Sequence, residues 1–312
     1  REHLEARGVT FRFGARVVAL LTREQGSGRR VCGVRLESGD EVAADAVVLA
    51  TGHSARDVFR MLLDAGVALE PKAFALGVRI EHPQPFINRI QYGRHAAHTK
   101  LPNAPYKLAF TESGRGVFSF CMCPGGFIVP ASTNSGELVL NGMSLSRRDS
   151  PYANSGLVVG VEVADALKAG FSGPLAGVDL QHRIEEAAWQ AGGGDLRAPA
   201  TRATDFVAGR GSTTVPGTSY QPGLAAGNVG DVLDVVGLGI AERMRRALNV
   251  FEKRMRGYVS EEAVLVGVES RTSSPVRVPR DSESLTSPDL GGLYPCGEGA
   301  GYAGGIMSAA MD

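Results

Sequence analysis

After a short helical opening, the first fifty positions carry short apolar stretches of strand length separated by polar turns, and further on apolar residues recur at the period of a helix. Runs rich in β-branched and aromatic residues at 9–13 and 15–21, and alternation at 31–37, predict strands, and polar stretches at 22–30 and 38–40 predict the turns between them, so this part reads as a meander. An apolar run at 46–50, closed by Thr51 and Gly52, predicts one more short strand. Beyond it Val58, Met61 and Leu62 recur at helical spacing, which predicts an amphipathic helix over 54–66 with Ser54 at its N-cap.

A strand at 74–81 follows, and then the texture changes. Short apolar runs at 106–110, 116–122, 126–130, 137–141 and 157–161 are separated by turns of Gly, Pro, Asn and Ser, which predicts a strand-rich region. Helices are predicted at 179–191 and 240–258, the second with Leu248 and Phe251 opposite a band of Arg and Lys, while 192–223 reads as loop. Strands at 263–268 and 276–278 lead into the glycine-rich end. No internal repeat organises the chain.

The 312 residues are 43% hydrophobic and 21% charged, enough to build one large or two mid-sized folded domains. A formal net charge of +0 gives no global attraction to nucleic acid. The most apolar glycine-rich run, 223–241, is broken by Asp231 and Asp234, so no membrane span is expected. Cys32, Cys121, Cys123 and Cys296 are too scattered for a secreted disulfide framework. A soluble protein of a reducing compartment, the cytoplasm or an organelle interior, is expected. Residues 3–7 read as the end of a helix and 306–312 as a helix still in progress, so both ends read as cut.

The most distinctive stretch is 291–312. Leu293 to Cys296 reads as a strand, Gly297 and Glu298 follow, and a glycine-crowded turn enters a run of small residues. Such a turn lets backbone N–H groups approach a flat or anionic ligand, because no Cβ intervenes. Gly299, Gly301 and Gly304 satisfy the GxGxxG spacing that sets a pyrophosphate on a helix N-terminus. The complete pattern also asks for a βαβ unit of about 30 residues and an acidic residue about 20 positions further on, and neither follows. The stretch is therefore another kind of cofactor turn, or a strand-to-helix turn with no ligand.

Leu293 to Cys296 with Gly297 and Glu298 resembles the last cofactor motif of the glutathione-reductase-like flavoproteins, and Val47-Val48-Leu49-Ala50-Thr51-Gly52 resembles their second. Phe120-Cys121-Met122-Cys123-Pro124-Gly125-Gly126, Asn141-Gly142-Met143-Ser144, Arg271-Thr272-Ser273-Ser274-Pro275-Val276-Arg277 and the segment 297–307 look like the FAD-dependent dehydrogenases, a family whose substrates are not established. This resemblance covers essentially the whole chain. It implies an α/β and α+β fold: an incomplete glutathione-reductase-like FAD-binding domain at 1–72 and 270–312, with an inserted strand-rich substrate domain at 73–269. The N-terminal βαβ that holds the ADP half of FAD in that family is expected to be missing.

The same resemblance implies cofactor-binding roles for Val17, Ala50, Thr51, Gly52, Arg271, Gly297, Glu298, Gly301, Gly304, Gly305 and Ile306. Glu298 would accept hydrogen bonds from ribityl or ribose hydroxyls, or serve only the helix start. The N–H groups of Gly304, Gly305 and Ile306 would face the flavin ring. Val17 falls where the family pairs its backbone with adenine, or is a plain sheet valine. Arg271 can meet the ring or a substrate anion, or sit in an ion pair or in solvent.

Four residues are catalytic candidates. His53 can act as an acid or base near neutral pH. On a regular strand Cys121 and Cys123 would share a face, as two thiols near a flavin or as small buried hydrophobes, and a Cys-x-Cys disulfide would close a very small ring. No CxxC or His pair accompanies them, so no metal site is expected. Tyr302 can stack or donate a proton, or merely pack the turn.

The resemblance implies an FAD-dependent oxidoreductase, a dehydrogenase moving hydride between flavin N5 and an unidentified organic substrate, with diffusible NAD(P)H as a possible partner. Two alternatives stay open. One is a flavin-dependent tRNA-modifying enzyme, whose glycine-rich end looks similar but whose RNA partner the balanced charge disfavours. The other is a truncated, non-catalytic fragment that binds flavin weakly.

Overall fold

The computed structural model describes residues 1–26 and 28–312. The chain divides into two compact units: a discontinuous one, Arg1–Glu70 with Val276–Asp312, and a continuous one, Pro71–Pro275.

In the discontinuous unit the meander is a three-stranded antiparallel sheet in the order Val17–Gln25, Gly28–Leu36, Glu41–Ala43. The turn expected at 22–30 includes position 27, outside the described residues, and the strands on either side extend well into that polar stretch. Cross-strand pairs such as Thr22 with Val31 carry the ladder there, so pairing overrides local polarity.

Two expectations fail in this unit. Residues 9–13 form no strand, and their alternation serves a local cluster instead: the Phe11 and Phe13 rings stack 6.4 Å apart, with the Arg1 guanidinium 5.9 and 5.3 Å from their centroids. A strand needs a neighbour to satisfy its backbone, and alternation alone does not supply one. The helix runs Arg56–Asp64 with Ala55 at its N-cap and no side-chain capping bond, so Ser54 lies one residue too early to cap it. What holds this helix is its buried face, Val58, Phe59 and Leu62, each contributing about 1.5–3 kcal/mol when fully removed from water.

A second, smaller pairing in the same unit positions the site. Val47–Leu49 lies parallel to Leu293–Pro295, with Leu293 opposite Val47 and Pro295 opposite Leu49. The Cys296 N–H extends the ladder to the Leu49 carbonyl at 3.0 Å. Both strands therefore end side by side.

The continuous unit is built on a mixed, mostly antiparallel seven-stranded sheet. Its order is Leu224–Ala226, Ala198–Arg202, Val264–Glu269, Phe74–Pro83, Tyr152–Val161, Arg115–Cys123, Ala109–Glu112. The first two strands are the parallel pair. Phe74–Pro83 and Tyr152–Val161 pair along their whole length and are buried on both faces, which explains their long apolar runs. Helix Ala176–Gly192 buries Leu180, Ile184 and Ala188, and helix Ile240–Arg254 buries Met244, Leu248 and Phe251, each at helical spacing.

The stretch 192–223, expected to be loop, contains strand Ala198–Arg202 and helix Ala203–Val207. Ala-Pro-Ala-Thr-Arg has little strand propensity of its own. It is a strand because it fills the slot between Leu224–Ala226 and Val264–Glu269, where Ala198 and Ala200 are fully buried.

Candidate functional site

The parallel strand ends bring residues 50–53 beside residues 296–299. A Cβ added at Gly299 would lie 2.6 Å from the Gly52 carbonyl oxygen, so the two backbones approach as closely as glycine permits. Gly301, at φ +84°, is similarly confined, with the Val276 carbonyl oxygen 2.8 Å from where its Cβ would stand. Gly299 and Gly301 are therefore required by the close approach of neighbouring backbone.

At the crossing His53 Nε2 stands 3.7 Å from Glu298 Oε1, close enough for an ion pair when the imidazole is protonated. Both side chains are half-buried, while Ala50 and Thr51 beside them are exposed. Two carboxylate oxygens next to a Cβ-free backbone suit a chain of sugar or sugar-alcohol hydroxyls, which are donors in search of acceptors. The ribityl or ribose hydroxyls of FAD fit these acceptors.

The rest of the turn is tied down by residues the sequence did not single out. Arg280 donates to both oxygens of Asp312, at 2.5 and 3.0 Å, and to the Pro295 carbonyl at 2.9 Å. Asp312 in turn accepts the Gly297 N–H at 2.8 Å. The Arg280 hydrogen bond, followed by that N–H, holds the Asp312 carboxyl below the usual carboxylate range. Burial, with Asp312 close by, pushes the Cys296 thiol up. No local pattern announces a pair separated by 32 positions.

Tyr302 belongs to this clamp. The Arg280 guanidinium lies 4.0 Å from its ring centroid and that of Arg277 5.4 Å, and its hydroxyl accepts the Arg280 N–H at 3.1 Å. Of the two readings offered by the sequence, packing of the turn is the one these contacts describe.

The remaining cofactor candidates are dispersed. The Gly304 N–H donates to the Ser308 hydroxyl at 3.3 Å, and that hydroxyl donates to the Gly305 carbonyl at 3.0 Å. Ile306, at the start of the six-residue helix Ile306–Met311, is 89% exposed. Val17 opens an edge strand of the meander opposite Leu36.

Cys121, Cys123 and Arg271 lie in the continuous unit. The two cysteines do not share a face. Pairing with Tyr152–Val161 shifts register between Asn154 and Gly156, Cys121 adopts φ 42°, and the result leaves Cys121 exposed and Cys123 buried. The Cys123 sulfur lies 3.8 Å from Arg79 Nη2, whose guanidinium also meets Glu269 at 3.1 Å and the Asn154 side chain. Sequence reasoning missed this buried polar network, although Arg79, Glu81 and His82 interrupt a buried strand; Glu81 is itself held by the hydroxyls of Thr218 and Ser219.

Arg271 is not open to an anion. Its Nη2 bonds Glu137 at 2.5 Å and Glu185 at 2.9 Å, and its Nη1 donates to Thr133 at 2.8 Å, with 5% of the side chain exposed. Ligand-type atoms of Glu137, His182 and Glu185 gather within 4.8 Å of one another, and the Arg271 guanidinium already supplies the cation those two carboxylates need.

Comparison with known proteins gives two family matches. Residues 73–272 match a family described as FAD-dependent protein, C-terminal domain-like, and residues 1–82 match flavin containing amine oxidoreductase. An uncharacterized protein of Clostridium beijerinckii is 45% identical over 281 residues, covering 88% of this chain and 51% of that protein. The chain thus spans about half the length of this relative.

Proposed function

Because the chain belongs to the family of FAD-dependent proteins, whose cofactor is FAD, we propose that it forms part of an oxidoreductase acting on an organic substrate. The discontinuous unit holds FAD on a glutathione-reductase-like framework, and the continuous unit carries the substrate. When bound, FAD supplies two-electron, hydride-type redox chemistry, and diffusible NAD(P)H is the partner to test first.

The chain's own contribution is positioning. Glu298 would accept hydroxyl hydrogen bonds from the cofactor's sugar-alcohol chain, with the His53 imidazole 3.7 Å from that carboxylate. The exposed Ala50–Thr51 backbone forms the adjoining wall, and the Gly52–Gly299 crossing leaves the cofactor a surface free of side chains.

The observation that supports this reading best is the apposition of Gly52, His53, Glu298 and Gly299 at two adjacent strand ends. The test is a fluorescence titration of the protein with FAD. Saturable quenching that weakens at least tenfold in Glu298→Ala supports it. Absence of saturable binding, or equal binding by the variant, refutes the assignment.

A further inference from the structure

We propose that the groove at the C-terminal end of helix Ile240–Arg254 binds the diphosphate of a small organic molecule of the nucleoside-diphosphate class. The groove encloses about 460 Å³, within the range of small-molecule sites. Lys107, Lys253, Arg254 and Arg256 line it, and no carboxylate does. In a chain whose formal charges cancel to +0, this is a local concentration of one sign.

The helix end by itself explains only part of it. Free carbonyls in a last turn favour cations, which accounts for Lys253 and Arg254. It does not account for Arg256, beyond the helix, or for Lys107, which arrives from a separate extended segment. Arg254 joins the two pieces by donating to the Ala109 carbonyl at 2.5 Å, so the segment bearing Lys107 is held against the helix end.

The acid nearest in sequence does not offset these charges. The Glu252 carboxylate accepts the N–H groups of Gly257 and Val259, at 2.9 and 2.8 Å, and is occupied in shaping the loop after the helix. Among the described residues, none of the four cations takes part in an ion pair. Like charges in a concave site focus the field and repel one another, and a polyanion relieves both. Half-buried Ile90 and Leu108 add apolar wall, which favours phosphates attached to an organic body over bare phosphate.

The groove is independent of the residues assigned to FAD, and the two assignments fail separately. The test is isothermal titration with ADP and with inorganic pyrophosphate in low salt, with charge variants separating the groove from the flavin site. Both probes are expected to bind saturably, ADP more tightly. The double variant Lys253→Glu with Arg256→Glu is expected to weaken ADP at least tenfold, whereas Lys168→Glu, on helix Val163–Lys168 and outside the groove lining, leaves it unchanged. Lys253→Gln with Arg256→Gln gives the same direction with less perturbation, should the reversed charges prevent folding. No saturable heat with either probe, or equal binding by the glutamine variant, overturns the proposal. So does a single-stranded RNA that binds through these residues while ADP does not.

Discussion

Arg280 and Asp312 form a two-pronged ion pair, and through Asp312 the guanidinium reaches the Gly297 N–H and so sets the entry to the glycine turn. The pair is only partly exposed, with 12% and 18% of the side chains accessible, and its bidentate geometry lifts it above an ordinary surface contact.

Replacing Arg280 with Ala removes the clamp and the nearer of the two guanidinium groups over Tyr302 together. A loss of about 1–2 kcal/mol is expected, with a fall in Tm of roughly 2–4 °C per kcal/mol, read by thermal unfolding. The Asp312 carboxyl is depressed by its partners, so its contribution is present above the ordinary carboxylate range and lost as pH falls through the depressed value. Limited proteolysis of the 296–302 turn should therefore accelerate in acid for the native protein, while Asp312→Asn should be cut readily at every pH. Equal cutting of native protein and variant at neutral pH would count against the clamp.

Gly299→Ala places a methyl group 2.6 Å from a backbone oxygen that cannot rotate aside. Overpacking of this kind costs about 1–3 kcal/mol. The variant should lower stability in denaturant and also loosen FAD, whereas Gly304→Ala, whose Cβ meets nothing within 4 Å, should leave stability nearly unchanged.

His82 is fully buried, its Nε2–H donating to the Tyr258 carbonyl at 2.8 Å, and burial pushes its pKa down to about 4. The unfolded chain takes up a proton near pH 6.5 that the native state refuses, so stability is complete above that value and falls between about 6.5 and 4. The full loss is about 3 kcal/mol. Denaturant titrations across this window should show the slope, and His82→Gln should flatten it. An unchanged slope in the variant would assign the pH dependence elsewhere.

The cysteines should separate by reactivity. Exposed Cys121 should alkylate first with iodoacetamide at neutral pH, and Cys296, whose thiol is held protonated by burial and Asp312, more slowly. Buried Cys123 should react only on unfolding. Peptide mapping after timed labelling gives the order, and early labelling of Cys123 would contradict its burial.

The sequence alone determined what depends on short-range backbone demands. The apolar runs at 46–50 and 293–296, the glycines around Glu298 and the amphipathic helices were legible because burial period and positive φ leave a mark within a few residues. The family resemblance, and not any local pattern, associated the two motifs, and the parallel register of Val47–Leu49 with Leu293–Pro295 makes their meeting concrete. Tertiary structure decided everything that rests on partners far apart in the chain. Arg271 meets Glu137 and Glu185 across more than 80 positions, Arg280 meets Asp312 across 32, and one register shift turns Cys121 and Cys123 to different surroundings. A guanidinium looks the same in sequence whether it awaits an anion or already has one, because the charges that answer it are assembled only by the fold.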